Sequence, residues 1–266
     1  MDAFISSVFI PTLCIGGCGL LSAVALAIAD KFLSVPEDPR IQGVMACLPG
    51  ANCGGCGFAG CADYANAVVL RGAEANLCAP AGNEGAGAIA AVMGQAPGEA
   101  SERKVALVLC CGDDAEAVRR SHYNGITDCA AAHTTAGGDK GCTYGCLGYG
   151  SCARVCPVAA VRVENGIASI VKDACIACGK CVGVCPRKLV KLVPASAEIH
   201  VLCSSKDKGP VVKGVCGTGC IGCRICTKLG GDAIVMDGFL AVVDYTKALE
   251  GQEVIDKCPG HCIRKA

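Results

Sequence analysis

The sequence predicts an α+β chain in which one long apolar helix precedes a series of small cysteine-rich modules. Residues 3–29 carry no charged side chain, and 25 of the 266 residues are cysteines, most of them in close-set groups. There is no tryptophan, and aromatic residues make up only 4% of the chain. A chain of this length with few large aromatic side chains favours several small cores over one large core.

The apolar segment predicts a transmembrane anchor helix over residues 1–30. As a helix, residues 3–29 would rise about 40 Å, which is enough to cross a bilayer. Lys31 and Arg40 follow the segment, so we expect a single-pass span with the rest of the chain on the cytoplasmic side. A cleaved signal peptide is the alternative, because Ala27-Ile28-Ala29 is similar to a cleavage site. No Lys or Arg precedes the apolar run, however.

The most informative cysteine run comprises Cys175, Cys178, Cys181 and Cys185, followed by Pro186. Its spacing, C-x2-C-x2-C-x3-C-P, is that of bacterial ferredoxins, in which three thiolates hold one [4Fe–4S] cluster and the fourth reaches a neighbouring cluster. A zinc site is the alternative, but it needs only four cysteines. A secreted disulfide framework is disfavoured, because close-set C-x2-C runs have metal-ligand spacing.

An irregular cysteine run precedes the regular run of Cys175 to Cys185. The two runs together predict a two-cluster ferredoxin-like domain over residues 138–193. A regular run ending at Cys156 would place a cysteine at position 149, which is Tyr149. Cys142 lies four residues before Cys146 and is expected to supply the missing thiolate. The predicted ligands are Cys142, Cys146, Cys152 and Cys185 for one cluster, and Cys156, Cys175, Cys178 and Cys181 for the other.

A four-cysteine iron–sulfur domain is predicted over residues 31–80. Its spacing is C-x2-C-x4-C-x16-C, and glycines between the cysteines let the backbone fold tightly around a cubane and present N–H groups to its sulfurs. Residues 63–71 predict a short helix that carries the chain toward the last of these cysteines. The predicted ligands of this cluster are Cys53, Cys56, Cys61 and Cys78.

A degenerate, single-cluster ferredoxin-like domain is predicted over residues 194–266. It contains another C-x2-C-x2-C run and, far downstream, a Cys-Pro pair. All four ligands of a second cluster are missing together, because their positions hold Gly230, Ala248, Gly251 and Val254. The predicted ligands of the one remaining cluster are Cys220, Cys223, Cys226 and Cys258.

The segments between these domains are expected to be a linker and a small α/β segment. Residues 81–103 are rich in Ala, Gly, Pro and Glu, which is typical of a linker. Residues 104–137 begin with a buried strand and are expected to form the small α/β segment. A β-hairpin is predicted across Asn165-Gly166.

Nine cysteines have no place in the four predicted clusters: Cys14, Cys18, Cys47, Cys110, Cys111, Cys129, Cys203, Cys216 and Cys262. Cys14 and Cys18 are expected to be small packing residues of the apolar helix. The spacing of Cys110, Cys111 and Cys129 leaves core, redox and ligand roles open.

A faint internal repeat involves some of these residues. Cys142-x3-Cys146 is similar to Cys216-x3-Cys220, and the sequence LVLC ending at Cys110 is similar to HVLC ending at Cys203. The repeat leads to the hypothesis that Cys203, Cys216 and Cys262 help to bind a further cluster.

Positive charge is concentrated in the two-cluster domain. The chain as a whole has zero net charge, which gives no indication of nucleic-acid binding. Residues 138–193 contain eight basic and three acidic residues, a net charge of +5. Because small soluble ferredoxins are mostly acidic, this domain is expected to dock a ferredoxin as electron donor. An ordinary solvated face is the alternative.

Catalytic motifs are absent from the sequence. There is no G-x-G-x-x-G opening a helix and no P-loop, the four histidines are scattered, and no nucleophile–base set is visible. We therefore expect a chain that carries electrons, has no catalytic residues of its own and leaves substrate chemistry to partner subunits.

Four stretches behind the apolar helix together resemble the RnfB family, the B subunits of the Rnf complex. They are LPGANCGGCGFAGCADYA, GCTYGCLGYGSCARVCP, the regular ferredoxin run and CIGCRICTK. The resemblance covers nearly the whole chain and implies a subunit of a plasma-membrane ferredoxin:NAD+ oxidoreductase that translocates Na+ or H+ in a bacterial or archaeal cell. It also implies that the chain takes electrons from reduced ferredoxin, while other subunits carry the flavin and nicotinamide chemistry.

Two other functions are compatible with the motifs. One is a membrane-anchored, polyferredoxin-like subunit of another redox enzyme, such as a hydrogenase or a heterodisulfide-reductase-like system. The other is a zinc-stabilised interaction protein without a redox role.

Overall fold

The protein is described here by a computed structural model, which covers residues 2–33, 38–96, 102–249 and 251–266. The chain divides into two compact units, Met1–Pro39 and Arg40–Ala266. The second unit contains three modules: a first module (residues 40–96), a dicluster module (residues 102–194) and a C-terminal module (residues 198–266).

The first unit consists of one long helix, α1 (Asp2–Leu33). Among the helices of the described residues, none combines the length and the hydropathy that a membrane span requires. The side chain of Cys14 lies outside the described residues, and that of Cys18 is exposed.

The first module packs three helices around one apolar core. Ile41 and Val44 of the first helix, Tyr64 and Val68 of the second and Ile89 of the third are all buried in it. The predicted linker therefore needs correction, because its first half is a helix anchored by a fully buried isoleucine. The helices are α2 (Pro39–Ala46), α3 (Cys61–Arg71) and α4 (Gly82–Val92).

The dicluster module takes in residues that the sequence analysis assigned to a separate α/β segment. Strand β1 (Lys104–Val108) pairs in antiparallel register with β4 (Val190–Pro194), with Lys104 opposite Pro194. A lone strand leaves its backbone groups unpaired, so β1 is stable only against a partner from the ferredoxin-like domain. The expected boundary at residue 137 therefore does not separate two folds.

The predicted hairpin is present in this module. Strands β2 (Val161–Glu164) and β3 (Ile167–Ile170) pair across Asn165 and Gly166, which both have positive φ, 49° and 69°. Two positive φ values in a two-residue loop match the twist of the flanking strands. The short helices of the module are α5 (Cys129–Thr134), α6 (Ser151–Arg154) and α7 (Lys180–Val184).

The C-terminal module has a similar arrangement. Its first and last strands pair with each other, its two middle strands form a hairpin, and Ile199, Ile234 and Val254 lie in its core. The strands are β5 (Ile199–Val201), β6 (Ile234–Asp237), β7 (Leu240–Val243) and β8 (Ile263–Lys265), and the helices are α8 (Gly209–Val215), α9 (Ile225–Leu229) and α10 (Gln252–Asp256).

The two ferredoxin-like modules repeat each other at the level of single hydrogen bonds. The Leu109 N–H donates to the Leu189 carbonyl at 2.9 Å, and the Leu202 N–H donates to the Cys262 carbonyl at 2.7 Å. Each bond extends the ladder between the outer strands of its module by one residue. The faint repeat in the sequence is therefore a structural repeat of strand, loop and hairpin.

Candidate iron–sulfur sites

Most cysteines outside α1 lie in a few spatial groups. Across the described part of the chain, no three His, Cys, Asp or Glu side chains stand close enough together to hold a single metal ion. Thiols instead line three cavities of the described residues.

The first thiol set consists of the four cysteines predicted for the first module, and the structure brings them together. Burial raises the pKa of Cys78, and the neighbouring thiols Cys56, Cys53 and Cys61 raise it further. The Cys61 N–H donates to Asn52 Oδ1 at 2.9 Å, which closes the loop that carries the first three of these cysteines. The members of the set are Cys53, Cys56, Cys61 and Cys78.

Cys47 lies near the first set but is held by its own helix. Its Sγ donates to the Gly43 carbonyl at 3.3 Å, one turn back along the chain. A thiol that caps a helical carbonyl in this way is directed toward the helix backbone. Its sequence position alone did not distinguish this role from a ligand role.

The third thiol set is the regular run together with Cys156, as the ferredoxin spacing predicts. The pKa of Cys181 is raised to about 11, first by burial and then by Cys175, Cys178 and Cys156. Backbone N–H groups point at two of the sulfurs: Ala106 donates to Cys175 Sγ at 3.4 Å, and Ala160 donates to Cys156 Sγ at 3.3 Å. Hydrogen bonds of this kind to ligand sulfurs set cluster potentials.

The second thiol set differs from the prediction by one member. One cavity is lined by Cys129, Cys146, Cys152 and Cys185, and Cys142 is not among its lining residues. The pKa of Cys152 is raised to about 12 by burial, then by Cys146, Cys129 and Cys185. Cys142, predicted as the fourth member, lines a different cavity. Cys129 thus occupies the place that the missing cysteine at position 149 leaves open.

A local hydrogen-bond network holds Cys129 at this place. Asp128 caps helix α5 by accepting from the N–H groups of Ala130 and Ala131 at 2.8 and 3.1 Å. Ser151 Oγ donates to Asp128 Oδ2 and accepts from the Cys129 N–H, both at 2.8 Å. Ser151 precedes Cys152 in α6, so the network ties the two cysteines of the set to each other.

Sequence reasoning missed Cys129 because it lies far from the run that it completes. The local signal was an N-cap pattern, Asp128 followed by Cys-Ala-Ala-Ala, which predicts a helix start with a cysteine in its first turn. Nothing in the spacing indicates that this turn folds back onto α6.

The fourth thiol set contains the four cysteines predicted for the C-terminal module. The pKa of Cys226 is raised to about 11 by burial and then by Cys220, Cys223 and Cys258. The Ala241 N–H donates to Cys220 Sγ at 3.4 Å. The same thiols, with Cys262, line one cavity.

Cys262 is a buried fifth thiol beside this set. Its Sγ lies 3.9 Å from Cys258 Sγ, and hydrogen bonds to Cys220 and Cys258 raise its pKa above the ordinary range. The same contacts lower the pKa of Cys220 to about 6 and that of Cys258 to about 5. Cys262 is therefore placed to share a hydrogen bond with a cysteine of the fourth set.

The donor chemistry of the four sets fits iron–sulfur clusters. All sixteen groups are soft thiols without mixed oxygen or nitrogen donors, and N–H groups of the surrounding backbone point at several of them. Cluster binding requires the thiols to lose their protons, and the positive charge of the iron would offset the cost of the buried, closely spaced thiolates.

Comparison with known families agrees with this geometry. Residues 48–80 match a family model described as "Putative Fe-S cluster", and residues 139–186 match the family of 4Fe-4S dicluster domains. These segments contain the first set and most of the second and third. The fold and the sites thus define an iron–sulfur protein that carries several [4Fe–4S] clusters.

Related chains identify the family. The B subunit of the Na(+)-translocating ferredoxin:NAD(+) oxidoreductase complex of Acetobacterium woodii is 42% identical over 97% of this chain and 78% of its own length. The B subunit of an ion-translocating oxidoreductase complex of Methanosarcina acetivorans is 41% identical over 97% and 98%. The B subunit of the proton-translocating ferredoxin:NAD(+) oxidoreductase complex of Clostridium ljungdahlii is 40% identical over 92% and 88%. The chain belongs to this family, the B subunits of ion-translocating oxidoreductase complexes, which confirms the resemblance seen in the sequence. It is an electron-transfer subunit of such a complex.

Proposed function

We propose that this chain accepts electrons from a reduced soluble ferredoxin and passes them to other subunits of a membrane-bound ferredoxin:NAD+ oxidoreductase. The observation that carries the proposal is the presence of four thiol sets on three consecutive modules of one compact unit. Two of the relatives are named for this reaction. When bound, [4Fe–4S] clusters supply one-electron transfer.

The proposed ligands are the four thiol sets, with Cys129 in place of Cys142. They are Cys53, Cys56, Cys61 and Cys78; Cys129, Cys146, Cys152 and Cys185; Cys156, Cys175, Cys178 and Cys181; and Cys220, Cys223, Cys226 and Cys258. The role of the surrounding chain is to hold the thiols in place, exclude water and direct N–H dipoles at the sulfurs.

A basic surface on the dicluster module supports the proposed ferredoxin contact. Arg162, Lys180, Lys188 and Lys191 are exposed there. Lys140 is buried and Arg187 is largely covered, so neither adds to the exposed charge that the sequence count of +5 suggested. Lys180 and Lys188 flank cysteines of the third and second sets, which would bring an acidic donor close to them.

Charge reversal tests the docking surface. Lys180→Glu with Lys188→Glu is expected to slow ferredoxin-driven reduction of the complex at least several-fold at low ionic strength, and added salt should shrink the difference. Lys208→Glu, on an exposed residue of the C-terminal module, is the matched control and should have little effect. Equal slowing by both variants would contradict docking at this surface.

Membrane attachment through the N-terminal unit is part of the proposal. Large apolar side chains of α1 are exposed along its length, among them Leu13, Ile15, Leu20 and Leu26. A helix with such a surface favours an apolar environment. The orientation proposed for it places the modules on the cytoplasmic side.

Carbonate extraction tests this attachment. The full chain, expressed without its partner subunits, is expected to stay in the membrane pellet. Leu20→Arg with Leu21→Arg should release most of it, because each charge in the apolar stretch costs about 2.5–3.5 kcal/mol on insertion. Lys31→Gln, at the end of the helix, is the control and should remain membrane-bound. A full chain found wholly in the supernatant would contradict the anchor.

A further inference from the structure

A fifth group of thiols lies between the two ferredoxin-like modules. A cavity is lined by five cysteines that belong to none of the four sets. Cysteines line the cavities at the second and fourth sets in the same way. The five lining cysteines are Cys110, Cys111, Cys142, Cys203 and Cys216.

Two of these thiols are equivalent under the repeat of the modules. The Cys146 N–H donates to Cys110 Sγ at 3.3 Å, and the Cys220 N–H donates to Cys203 Sγ at 3.3 Å. Cys110 ends the extension of β1, and Cys203 ends the extension of β5. N–H···S bonds of this length also reach thiols of the second, third and fourth sets.

Cys142 and Cys216 form a second equivalent pair. Each lies four residues before a cysteine of a thiol set, Cys146 or Cys220. Val118 lies between the segment that precedes Cys142 and the segment that precedes Cys216. The Gly141 N–H donates to the Val118 carbonyl at 2.7 Å, and the Val118 N–H donates to the Val215 carbonyl at 3.0 Å. The two modules thus present matching pairs of thiols to one shared cavity.

We propose that Cys110, Cys142, Cys203 and Cys216, the interface thiols, hold a fifth [4Fe–4S] cluster that bridges the dicluster module and the C-terminal module. The proposal rests on the proposed function, because it assumes that the chain is loaded with clusters of this type. Loading a preassembled cubane core leaves its oxidation state unchanged and releases the four thiol protons to solvent.

The repeat also selects four ligands from the five lining cysteines. Cys110 and Cys203 are equivalent, and the residue after each of them is Cys111 in one module and Ser204 in the other. The equivalent of Cys111 is therefore a serine and not a thiol. Ser204 Oγ donates to the Leu109 carbonyl at 2.9 Å, which is a bond between modules. Cys216 Sγ donates to the Thr218 carbonyl at 2.9 Å as a thiol, and on losing its proton it would turn from that oxygen toward the cavity.

Buried positive charge at the cavity fits an anionic occupant. Lys140 lines the cavity with 1% of its surface exposed, and its Nζ donates to the Gly166 carbonyl at 2.7 Å and the Gly112 carbonyl at 3.4 Å. Arg187 lines the neighbouring cavity of the second set and donates to the Cys142 carbonyl at 2.9 Å. Asp114 Oδ1 lies 3.6 Å from Lys140 Nζ but also pairs with Arg119. A cubane with four thiolates has a net charge of about −2 in its oxidised form and would add to the compensation of this buried positive charge.

The position of the cavity gives the site a role within the chain. Cys110 accepts a hydrogen bond from the backbone of Cys146, a member of the second set, and Cys203 accepts one from Cys220, a member of the fourth set. The interface thiols therefore adjoin the second and the fourth sets. A cluster held by them would connect the C-terminal module to the dicluster module for electron transfer.

Metal analysis of the full chain, purified anaerobically, tests the proposal. We expect about 20 irons and 20 sulfides per chain in the wild type, and about 16 of each after Cys203→Ser with Cys216→Ser. Cys142→Ser alone should also give about 16. Cys111→Ser, at a cysteine that lines the same cavity, is the matched control and should keep about 20. EPR of the reduced protein should show cluster signals in every variant.

Each outcome decides the assignment. About 16 irons in the wild type would overturn the fifth site and leave the proposed function intact, whereas a chain with no iron would overturn both. Loss of about four irons in Cys111→Ser would overturn the choice of ligands. If the variant with both Cys203→Ser and Cys216→Ser does not fold, the iron content of the wild type and of Cys142→Ser still tests the proposal. Zinc at the site in the wild type would also overturn the proposal.

Discussion

The backbone of Gly55 lies directly against that of Cys178. A Cβ atom built on Gly55 would stand 2.6 Å from the Cys178 carbonyl oxygen, closer than real Cβ contacts come. Gly55 belongs to the loop of the first thiol set, and Cys178 belongs to the loop of the third. The absence of a side chain at position 55 therefore lets two predicted cluster loops touch, which favours electron exchange between them.

Gly55→Ala is expected to disturb this contact. Overpacking of a close backbone approach costs about 1–3 kcal/mol, because one of the two loops must shift. We predict a lower free energy of unfolding and slower electron exchange between the first module and the dicluster module, with most of the iron retained. Denaturant unfolding of the anaerobic protein and freeze-quench EPR measure the two effects.

Gly87→Ala is the matched control for that variant. Gly87 lies within α4, and a Cβ built there meets nothing within 4 Å. Alanine in a helix interior is more stable than glycine by about 1 kcal/mol, so this variant should be neutral or slightly stabilised. Equal loss of stability in the two variants would argue against a specific role for the Gly55 contact.

The exchange of Cys129 for Cys142 predicts non-additive iron losses. In the variant that lacks Cys203 and Cys216, adding Cys142→Ser should remove no more iron, because the interface site has already lost two of its four ligands. Adding Cys129→Ser to the same variant should remove about four further irons, because it opens the second set. If Cys142→Ser removed about four further irons and Cys129→Ser removed none, Cys142 would be the ligand of the second set, as the sequence predicted. Iron and sulfide analysis distinguishes the two.

Cys262 is predicted to tune the potential of the fourth set. Its Sγ lies 3.9 Å from Cys258 Sγ, and its contacts lower the pKa of both Cys220 and Cys258. If those two cysteines are iron-bound thiolates, the Cys262 S–H group is the donor that stabilises their charge. Cys262→Ala should keep the iron content but lower the reduction potential, by about 60 mV for each 1.4 kcal/mol of lost differential stabilisation. EPR-monitored redox titration measures this shift.

Cys262→Ser separates this hydrogen bonding from packing. A serine hydroxyl can donate to the same thiolates, so this variant should recover part of the shift seen with alanine. Loss of about four irons from the alanine variant would instead make Cys262 a ligand.

His200 predicts a pH dependence of stability. It is buried, its Nδ1 lies 3.0 Å from the Tyr245 hydroxyl, and burial lowers its pKa. The unfolded chain, with a histidine pKa of about 6.5, then binds the proton more readily than the folded chain. Neutral His200 therefore contributes its full stability above the pKa of the unfolded chain. This contribution is lost as the pH falls below that value toward the lowered pKa of the folded chain.

A variant without His200 checks the sign of this effect. Between pH 7.5 and 5.5 the wild type should lose stability with a slope that reaches at most about 1.4 kcal/mol per pH unit, and His200→Gln should flatten it. His122→Gln, on an exposed histidine, is the control. An unchanged slope in His200→Gln would assign the pH dependence to other groups.

Local spacing predicted the parts of the sites that lie within one loop. The set built on Cys175, Cys178 and Cys181 follows from chain geometry, because residues three apart in a tight loop face one centre. The hairpin at Asn165 and Gly166 was equally local. These features needed no information about distant packing.

Features that depend on tertiary contacts were missed. The partner of β1 lies more than 80 residues away, and α4 is stable because Ile89 is buried against α2 and α3. Cys129 reaches the second set only through the bonds of Asp128 with Ser151. The sequence repeat hinted at the interface thiols, but only the paired N–H···S bonds of Cys110 and Cys203 identified them as equivalent.

Iron, sulfide and zinc content of the anaerobically purified full chain, measured together with EPR, tests the central claim most directly. Cluster-loaded thiol sets predict at least about 16 irons with matching sulfide, and cubane signals on reduction by ferredoxin. Zinc without iron, or iron that reduced ferredoxin fails to reduce, would contradict the account of this chain as the ferredoxin-linked electron-transfer subunit.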